Sequence, residues 1–409
     1  MSGARNIALP ISSFLPNLGG AEVGLHNIAC KLTERGYRPV VMAPAPHVNS
    51  LREKGWQLPY KVEPFPPKIW SVLQRMPWLG FWILDRFFAR MQSRYRFDFW
   101  HCTVGYPTGV ALVHFARKRN DIRYLIRCAG EDIQKDADIG YGARLDPEID
   151  KIVHTYLSQA QVLTAISDSV ADEYRAIGVP EDHIRHIPNG VDLARFTGNV
   201  DRRTVRARHG LDPDAMLFLS VGRNHPKKNY AGLLDATARL LADSNTQKAP
   251  FQLAIVGKYA GDLAGQVDAL NLSKHVKLID QIGDAHDGAG VPELPSRALV
   301  DLYLAADIFV FPSLIETFGI AIVEAMAAGL PVIVGDSPGC RDVVRKGRDG
   351  TLVDPREPDA IATVMSDFMT DGAKRASHAA KAKSRAQDFD WDRVVDQYIE
   401  LYDRDIIAK

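Results

Sequence analysis

An apolar strand pattern, Asp307-Ile-Phe-Val-Phe311, leads through a short loop into a small-residue segment that stops at Gly329-Leu-Pro331. A second apolar run, Val332-Ile-Val334, follows at once. A segment closed by Gly and Pro between two apolar runs reads as strand–helix–strand, the unit from which parallel sheets are built. This unit limits the fold more than any other feature of the chain, because a parallel sheet needs a crossover after every strand.

The same alternation runs through both halves. In the first, strand patterns fall at Asn6–Ile11, Pro39–Ala43, Phe97–Cys102, Arg123–Arg127, Val162–Ala165 and His183–Ile187, and helix patterns at Ala21–Arg35, Asp150–Ala160 and Asp168–Ile177. In the second, strands are predicted at Leu217–Val221, Gln252–Val256, Val276–Ile279, Ile308–Phe311, Val332–Val334 and Thr351–Val353. Helices are predicted there at Tyr230–Ala242, Ala260–Leu270, Ala298–Ala305 and Phe318–Ala328. Two rounds of alternation in 409 residues predict an α/β chain of two doubly wound, Rossmann-like parallel-sheet domains facing each other. The domains are placed at residues 1–192 and 214–389, joined by the charge-rich stretch Asp192–Pro213. Residues 391, 394, 395, 398, 399 and 402 form a final helical stripe, in a segment of about 390–409.

The 50 basic and 50 acidic residues cancel, so no global field draws the chain to nucleic acid or to a membrane. Cys30, Cys102, Cys128 and Cys340 are scattered without CxxC spacing, which reads as buried thiols of a reducing compartment. No apolar run is long enough for a signal peptide or a bilayer span, and a cytoplasmic protein is expected.

Glu316 and Glu324 bracket seven residues at the start of the small-residue helix. With a helix beginning near Phe318 they stand roughly 12 Å apart along the axis, at about 1.5 Å per residue. Between them the amides of Thr317, Phe318, Gly319 and Ile320 form an anion site. A carboxylate, an anion cradle and a second carboxylate match a sugar, a diphosphate and a ribose. Glutamate near a helix start is favoured by the dipole alone, so Glu316 has an ordinary explanation too. Glu324, in IAIVEAMAAG, has no polar face to belong to, and a charge there needs a partner.

Gly222, Arg223 and Lys228 follow the strand Leu217–Val221. Arg offers a planar fork and Lys a point charge, a pair suited to a diphosphate, although basic loops are common. Lys227 is expected to face solvent. Gly19-Gly20 precede the first helix and would admit an acceptor or a reacting oxygen close to backbone. No GxGxxG follows that strand and no GxxxxGK[ST] occurs, which argues against dinucleotide enzymes and P-loop ATPases. Asp136-Ala-Asp138 lacks the apolar strand that would aim two carboxylates at a metal, and no other group has metal-ligand spacing. Glu131 and Asp132, after the strand Arg123–Arg127, and Arg127 at its end are candidates to contact sugar hydroxyls. His101 could point into the same cleft or be an ordinary strand-end histidine. The stretch Trp70–Trp100 interleaves Trp70, Trp78, Phe81, Trp82, Phe87 and Phe88 with arginines. It could rest on an anionic membrane or pack as a helix pair on the first sheet. The loop Asp280–Pro295 is long for a strand–helix connection and could select the base or close the cleft.

The run PS…E-TFGIAIV-EAMAAGLPVI resembles the family 4 retaining glycosyltransferases (glycosyltransferase group 1 type). The resemblance extends to Gly19-Gly20-Ala21-Glu22, Ile187-Pro-Asn-Gly-Val-Asp192 and Arg223…Lys228, and so covers nearly the whole chain. It implies the two-domain GT-B fold, with the last helix crossing back onto the first domain. It also implies sugar transfer from a nucleoside diphosphate sugar, UDP- or GDP-linked, with retained configuration and no metal or other cofactor. The acceptor would be a hydroxyl of a glycan, a lipid-linked glycan or a small molecule, as in bacterial cell-surface polysaccharide or glycoconjugate synthesis, at the inner face of the membrane. By the same resemblance Glu324 binds the ribose, Glu316 the transferred sugar, and Arg223 and Lys228 the diphosphate. Ala129 stands where the family usually carries a histidine, which weakens the expectation of a catalytic histidine. A sugar-nucleotide epimerase and a silent nucleotide-sugar-binding protein are the other readings.

Overall fold

The computed structural model describes residues 5–243, 250–280, 282 and 291–407; most of the loop Asp280–Pro295 lies outside them. Two compact units emerge. The first is built from the chain up to Asn189 together with the segment from Trp391, and the second from nearly all described residues between Gly190 and Asp390.

The first unit holds strands β1 (Asn6–Pro10), β2 (Arg38–Ala43), β3 (Lys61–Pro64), β4 (Phe99–Thr103), β5 (Tyr124–Arg127), β6 (Leu163–Ala165) and β7 (Ile184–His186). They pair in parallel in the order β3-β2-β1-β4-β5-β6-β7. The second holds β8 (Met216–Val221), β9 (Phe251–Val256), β10 (Val276–Ile279), β11 (Ile308–Phe311), β12 (Val332–Gly335) and β13 (Thr351–Val353). Their order, β10-β9-β8-β11-β12-β13, is again parallel throughout. In each sheet the first strand lies between its second and fourth, so the winding reverses there. Ligands of doubly wound sheets bind at the carboxyl ends of the strands beside that reversal. In the second unit those ends carry the loops after β8 and β11, which hold Lys228 and Glu316.

Side chains alternate across the first sheet. On one face Trp100 of β4 meets Phe88 edge-on and Phe115 at a tilt, and Phe88 meets Phe115 edge-on. On the other, Phe99 and His101 meet Tyr402 and Tyr398. The final helix, Trp391–Leu401, buries Trp391, Val394, Val395 and Tyr398 of the stripe legible in the sequence, and adds Leu401. Each such side chain contributes about 1.5–3 kcal/mol of burial. Lys31 of the helix Gly20–Glu34 and Arg35, at its C-terminal cap, reach Asp392 and Asp396 at the rim of the final helix. The pairing of two helices within one unit sets the path of the returning segment.

Two expectations are corrected here. The aromatic stretch Trp70–Trp100 is mostly internal: Trp70 packs on Phe65, and Phe87 and Phe88 join the same cluster. Its exposed apolar part reduces to Met76, Trp78 at 72% and Trp82 at 54%, at the start of the helix Pro77–Tyr95. The stretch Asp192–Pro213 is no simple linker, because residues Arg202–Arg208 form a helix capped by the Asp201 carboxylate. Its charge misled the sequence reading, since Arg206 is buried rather than solvated. The Arg206 guanidinium donates to the carbonyls of Ala305 and Ala215 and to Asp307 Oδ2 at 2.7 Å.

Asp307 therefore fastens the base of the β8–β11 pair. Its Oδ2 also accepts the Leu217 amide at 2.8 Å, and Arg202 reaches the other oxygen. Burial raises the Asp307 pKa, but the Leu217 amide and the two arginines outweigh it and hold the carboxyl below its usual range. A depressed carboxyl contributes stability above its unfolded pKa and loses it as pH falls through the folded value. Asp307→Ala should cost about 3 kcal/mol at pH 7, the lower end for a broken buried pair. The penalty in urea unfolding should shrink below about pH 4; a pH-independent penalty would contradict this role.

Candidate functional site

The loop after β11 brings Glu316 to the loop after β8. Glu316 is 6% exposed, and its Oε1 accepts from Lys228 Nζ at 2.5 Å. Lys227 Nζ lies 3.7 Å from Oε2, so Lys227 turns inward and the expectation that it faces solvent is wrong. The geometry explains the turn. The Lys227 carbonyl accepts the Leu314 amide at 2.7 Å, which ties the two loops together at that residue. Ser313 Oγ lies 2.7 Å from that carbonyl and 2.9 Å from Glu316 Oε1, and its one proton serves either. Lys228 also lies over the Phe311 ring, 4.5 Å from its centroid.

Burial alone would push the Glu316 carboxyl up; Lys227, Lys228 and Ser313 outweigh it and bring it down to about 2. Burial pushes Lys228 the other way, below its usual value, against the pull of Glu316. The carboxylate is ionised, and the ammonium beside it keeps it so. Gly339 makes the backbone approach possible, since a Cβ there would sit 2.1 Å from the Glu316 carbonyl oxygen and its φ is +77°. The Glu316 amide meanwhile donates to the Pro338 carbonyl at 2.9 Å.

The helix after this loop begins two residues later than the sequence suggests, at Ile320–Ala327. Gly319, left-handed at φ +78°, turns the chain into it, so Thr317 and Phe318 lie in the loop and not in the first turn. The Phe318 ring packs edge-on against Phe389. Backbone amides at Gly319 and Ile320 remain at the helix mouth, where donors lack intrahelical partners.

Glu324, 8% exposed, accepts from the Tyr303 hydroxyl at 2.9 Å. Burial raises its carboxyl to about 7, with Tyr303 and Arg195 pulling the other way. Arg195 is itself paired with Glu293 at 3.0 Å. Tyr303 is legible in the sequence only as an aromatic residue in the helix Arg297–Ala305. Arg223 is exposed at the start of the β8 loop. Gly222 must stay small, because a Cβ there would meet Tyr230 Oη at 3.1 Å and Lys228 Cε at 3.2 Å.

In the first unit, Gly19 and Gly20 are exposed at the start of the helix Gly20–Glu34. Glu131 is exposed on the loop after β5. Asp132 is not available to a sugar: it is buried, and accepts the amides of Gly105, Ala129 and Gly130 at 2.5, 3.0 and 2.6 Å. It splices the loops after β4 and β5. His101 is fully buried, with Nδ1 2.6 Å from the Tyr402 hydroxyl, and does not reach a cleft. Asp136 and Asp138 sit in a turn in which Asp136 Oδ1 accepts the Asp138 amide. Among the described residues no group of three His, Cys, Asp or Glu side chains could hold a metal.

The model of the glycosyl transferases group 1 matches residues 201–385, and that of glycosyltransferase family 4 matches residues 18–195. The chain is 30% identical over 294 residues to a D-inositol 3-phosphate glycosyltransferase of Rhodococcus jostii, covering 72% of this chain and 61% of that protein. It is 31% identical over 299 residues to a second such protein from Catenulispora acidiphila, covering 73% and 66%. The chain thus spans less than two thirds of the length of these relatives. The HepE protein of Anabaena, solved with UDP-glucose, is similar at a TM-score of 0.74 and 22% identity, over 97% of this chain and 99% of that one. A glycosyltransferase of Rickettsia africae gives a TM-score of 0.76 at 16% identity, over 98% of both chains. These likenesses show the fold, two Rossmann-like domains of the GT-B type.

If Lys228 holds Glu316 ionised, Lys228→Met should raise the Glu316 pKa from about 2. Carbon-13 NMR of labelled glutamate would follow the titration, and an unmoved Glu316 signal would refute the assignment.

Proposed function

Because the chain belongs to the group 1, family 4 glycosyltransferases, we propose that it transfers a sugar from a nucleoside diphosphate sugar to an acceptor hydroxyl. The observation that carries this reading is the buried Glu316 carboxylate gripped by Lys228 at 2.5 Å, beside the helix mouth that leads to Glu324. In a donor complex Glu324 takes the ribose hydroxyls and Glu316 the hydroxyls of the transferred sugar. An ammonium has three N–H groups, so Lys228 can keep Glu316 and still donate to the diphosphate. Arg223 and the amides of Gly319 and Ile320 complete that shell. Charge that builds on the departing diphosphate meets donors already in place, which is the source of rate enhancement without a protein nucleophile. Retention of configuration and independence from metal rest on the family resemblance.

A UDP-linked donor is favoured over a GDP-linked one by the HepE relative solved with UDP-glucose. For the acceptor, the names of the relatives favour a small phosphorylated polyol. A glycan or lipid-linked acceptor, in cell-surface polysaccharide synthesis, is the second reading. It draws on Met76, Trp78 and Trp82, with Arg86 lying 4.9 Å over the Trp82 ring, as a face for an anionic membrane. Among the described residues no helix is long and apolar enough to cross one. The reaction would take place in the cytoplasm.

The Glu324 carboxyl supplies the sharpest test. Ribose hydroxyls donate best to its ionised form, so calorimetric affinity for UDP-sugars should fall as pH drops through about 7. Glu324→Gln should bind roughly 10–100-fold more weakly at pH 8, the worth of hydrogen bonds to a charged group, with a flat pH profile. Equal affinity in the variant would remove Glu324 from the donor site. For the membrane face, Trp78→Ser with Trp82→Ser should abolish sedimentation with anionic vesicles at low salt. Failure of the wild type to sediment would end that part of the reading.

A further inference from the structure

Beneath the final helix, the first sheet carries a cluster of polar side chains that the proposed reaction does not use. Parallel pairing sets Thr103 of β4 beside Arg127 of β5, and Arg127 beside Thr164 of β6. The three therefore stand in a row on one face, about 4.8 Å from strand to strand. His101, two residues before Thr103, shares the face, and the Tyr398 ring covers it with centroids 4.7 Å apart. All five side chains are buried, the Arg127 residue to 1% exposure. Arg127 Nη2 donates to the Asn189 side-chain oxygen at 2.7 Å. Gly24 lets the guanidinium lie against the first helix, since a Cβ there would come within 3.2 Å of Nη2.

The rest of the cluster has no such answer. Arg127 Nε and Nη1, the hydroxyls of Thr103, Thr164 and Tyr398, and His101 Nε2 have no hydrogen-bond partner among the described residues. Among the described residues the one hydrogen bond of full geometry from the Arg127 guanidinium goes to a neutral amide, and Arg127 has no ion pair there. A guanidinium cannot shed its proton. Left alone it carries a full charge into the core, which is costly unless something of opposite sign pairs with it. Burial, with the charge of Arg127, pushes His101 well below its usual value, so the histidine is neutral and the cluster bears a single positive charge. The Tyr398 hydroxyl comes close enough to Thr164 and to the guanidinium for a weak hydrogen bond with each, short of full hydrogen-bond geometry. One cation ringed by hydroxyls, with no carboxylate, is complementary to a small ion of charge minus one.

We propose that this face of the first sheet is a binding site for one small monovalent anion of the halide class, held by Arg127 with the hydroxyls of Thr103, Thr164 and Tyr398. Bound there, the anion stabilises the native first unit by mass action, because the unfolded chain offers no such cluster. It also completes the surface on which the final helix rests.

The protein crystallised from sodium bromide, with data collected at the bromine absorption edge, should show an anomalous peak beside Arg127. At constant ionic strength, replacing gluconate by chloride should raise the melting temperature to a plateau in the wild type. Arg127→Met and Thr164→Val should remove or blunt that rise. Should Arg127→Met fail to fold, the wild-type bromide data decide alone. Ordered water without anomalous signal would overturn the proposal, as would identical melting in gluconate and chloride. A bromide peak that survives in Arg127→Met would overturn it as well.

Discussion

The parallel pairing of β8 with β11 is the constraint on which the candidate site depends. Phe218 and Leu219 lie in register with Ile308 and Phe309, although almost ninety residues of chain separate the strands. Asp307 fastens the pair at one end by taking the Leu217 amide and two arginines. Lys228 and Glu316 close it at the other. Between these two charged clasps the strands are apolar and buried, so neither end can move without the other strand following. The loops that carry Lys228 and Glu316 are thus presented on a rigid edge, which a site built on opposing charges requires.

The two glutamates show how burial assigns different roles to the same side chain. Glu316 and Glu324 are about equally hidden, at 6% and 8%. Two lysines hold the first ionised, whereas the second, with a phenol for its close partner, sits near neutrality. Desolvation works in the same direction on both, and the count of nearby cations decides the outcome. In the proposed reading, a permanent charge suits a group that stays paired with a cation next to a diphosphate. A carboxyl near neutrality suits one that exchanges hydrogen bonds with hydroxyls.

Most of the fold was legible because a parallel α/β chain writes its strands as apolar runs and its stops as Gly and Pro. The segment Asp307–Val334 was readable almost to the residue for that reason. What the sequence concealed were charges with internal roles. Arg206 in a charge-rich segment looked solvated, yet it closes carbonyls of the second unit. Lys227 looked like the outer partner of Lys228, and turns inward because its own carbonyl is bound to the β11 loop. Asp132 looked like a ligand for sugar hydroxyls and instead takes three amides. A one-dimensional pattern gives the period of burial but not the direction of a side chain within a loop. For the same reason Trp70 and Trp82 read alike, yet one packs on Phe65 and the other is largely exposed.

The return of Trp391–Leu401 to the first sheet also governs the order in which the protein can be made. The strands of that sheet are all synthesised by His186, but the helix that covers Phe99, His101 and Arg127 emerges only after the second unit. At 5–20 residues per second this interval is about 10–40 s. Throughout it, the earlier half carries an uncovered face while the later half has everything it needs to close. The half that is first in the sequence is therefore the last to be finished, and the second unit folds in the presence of an incomplete neighbour.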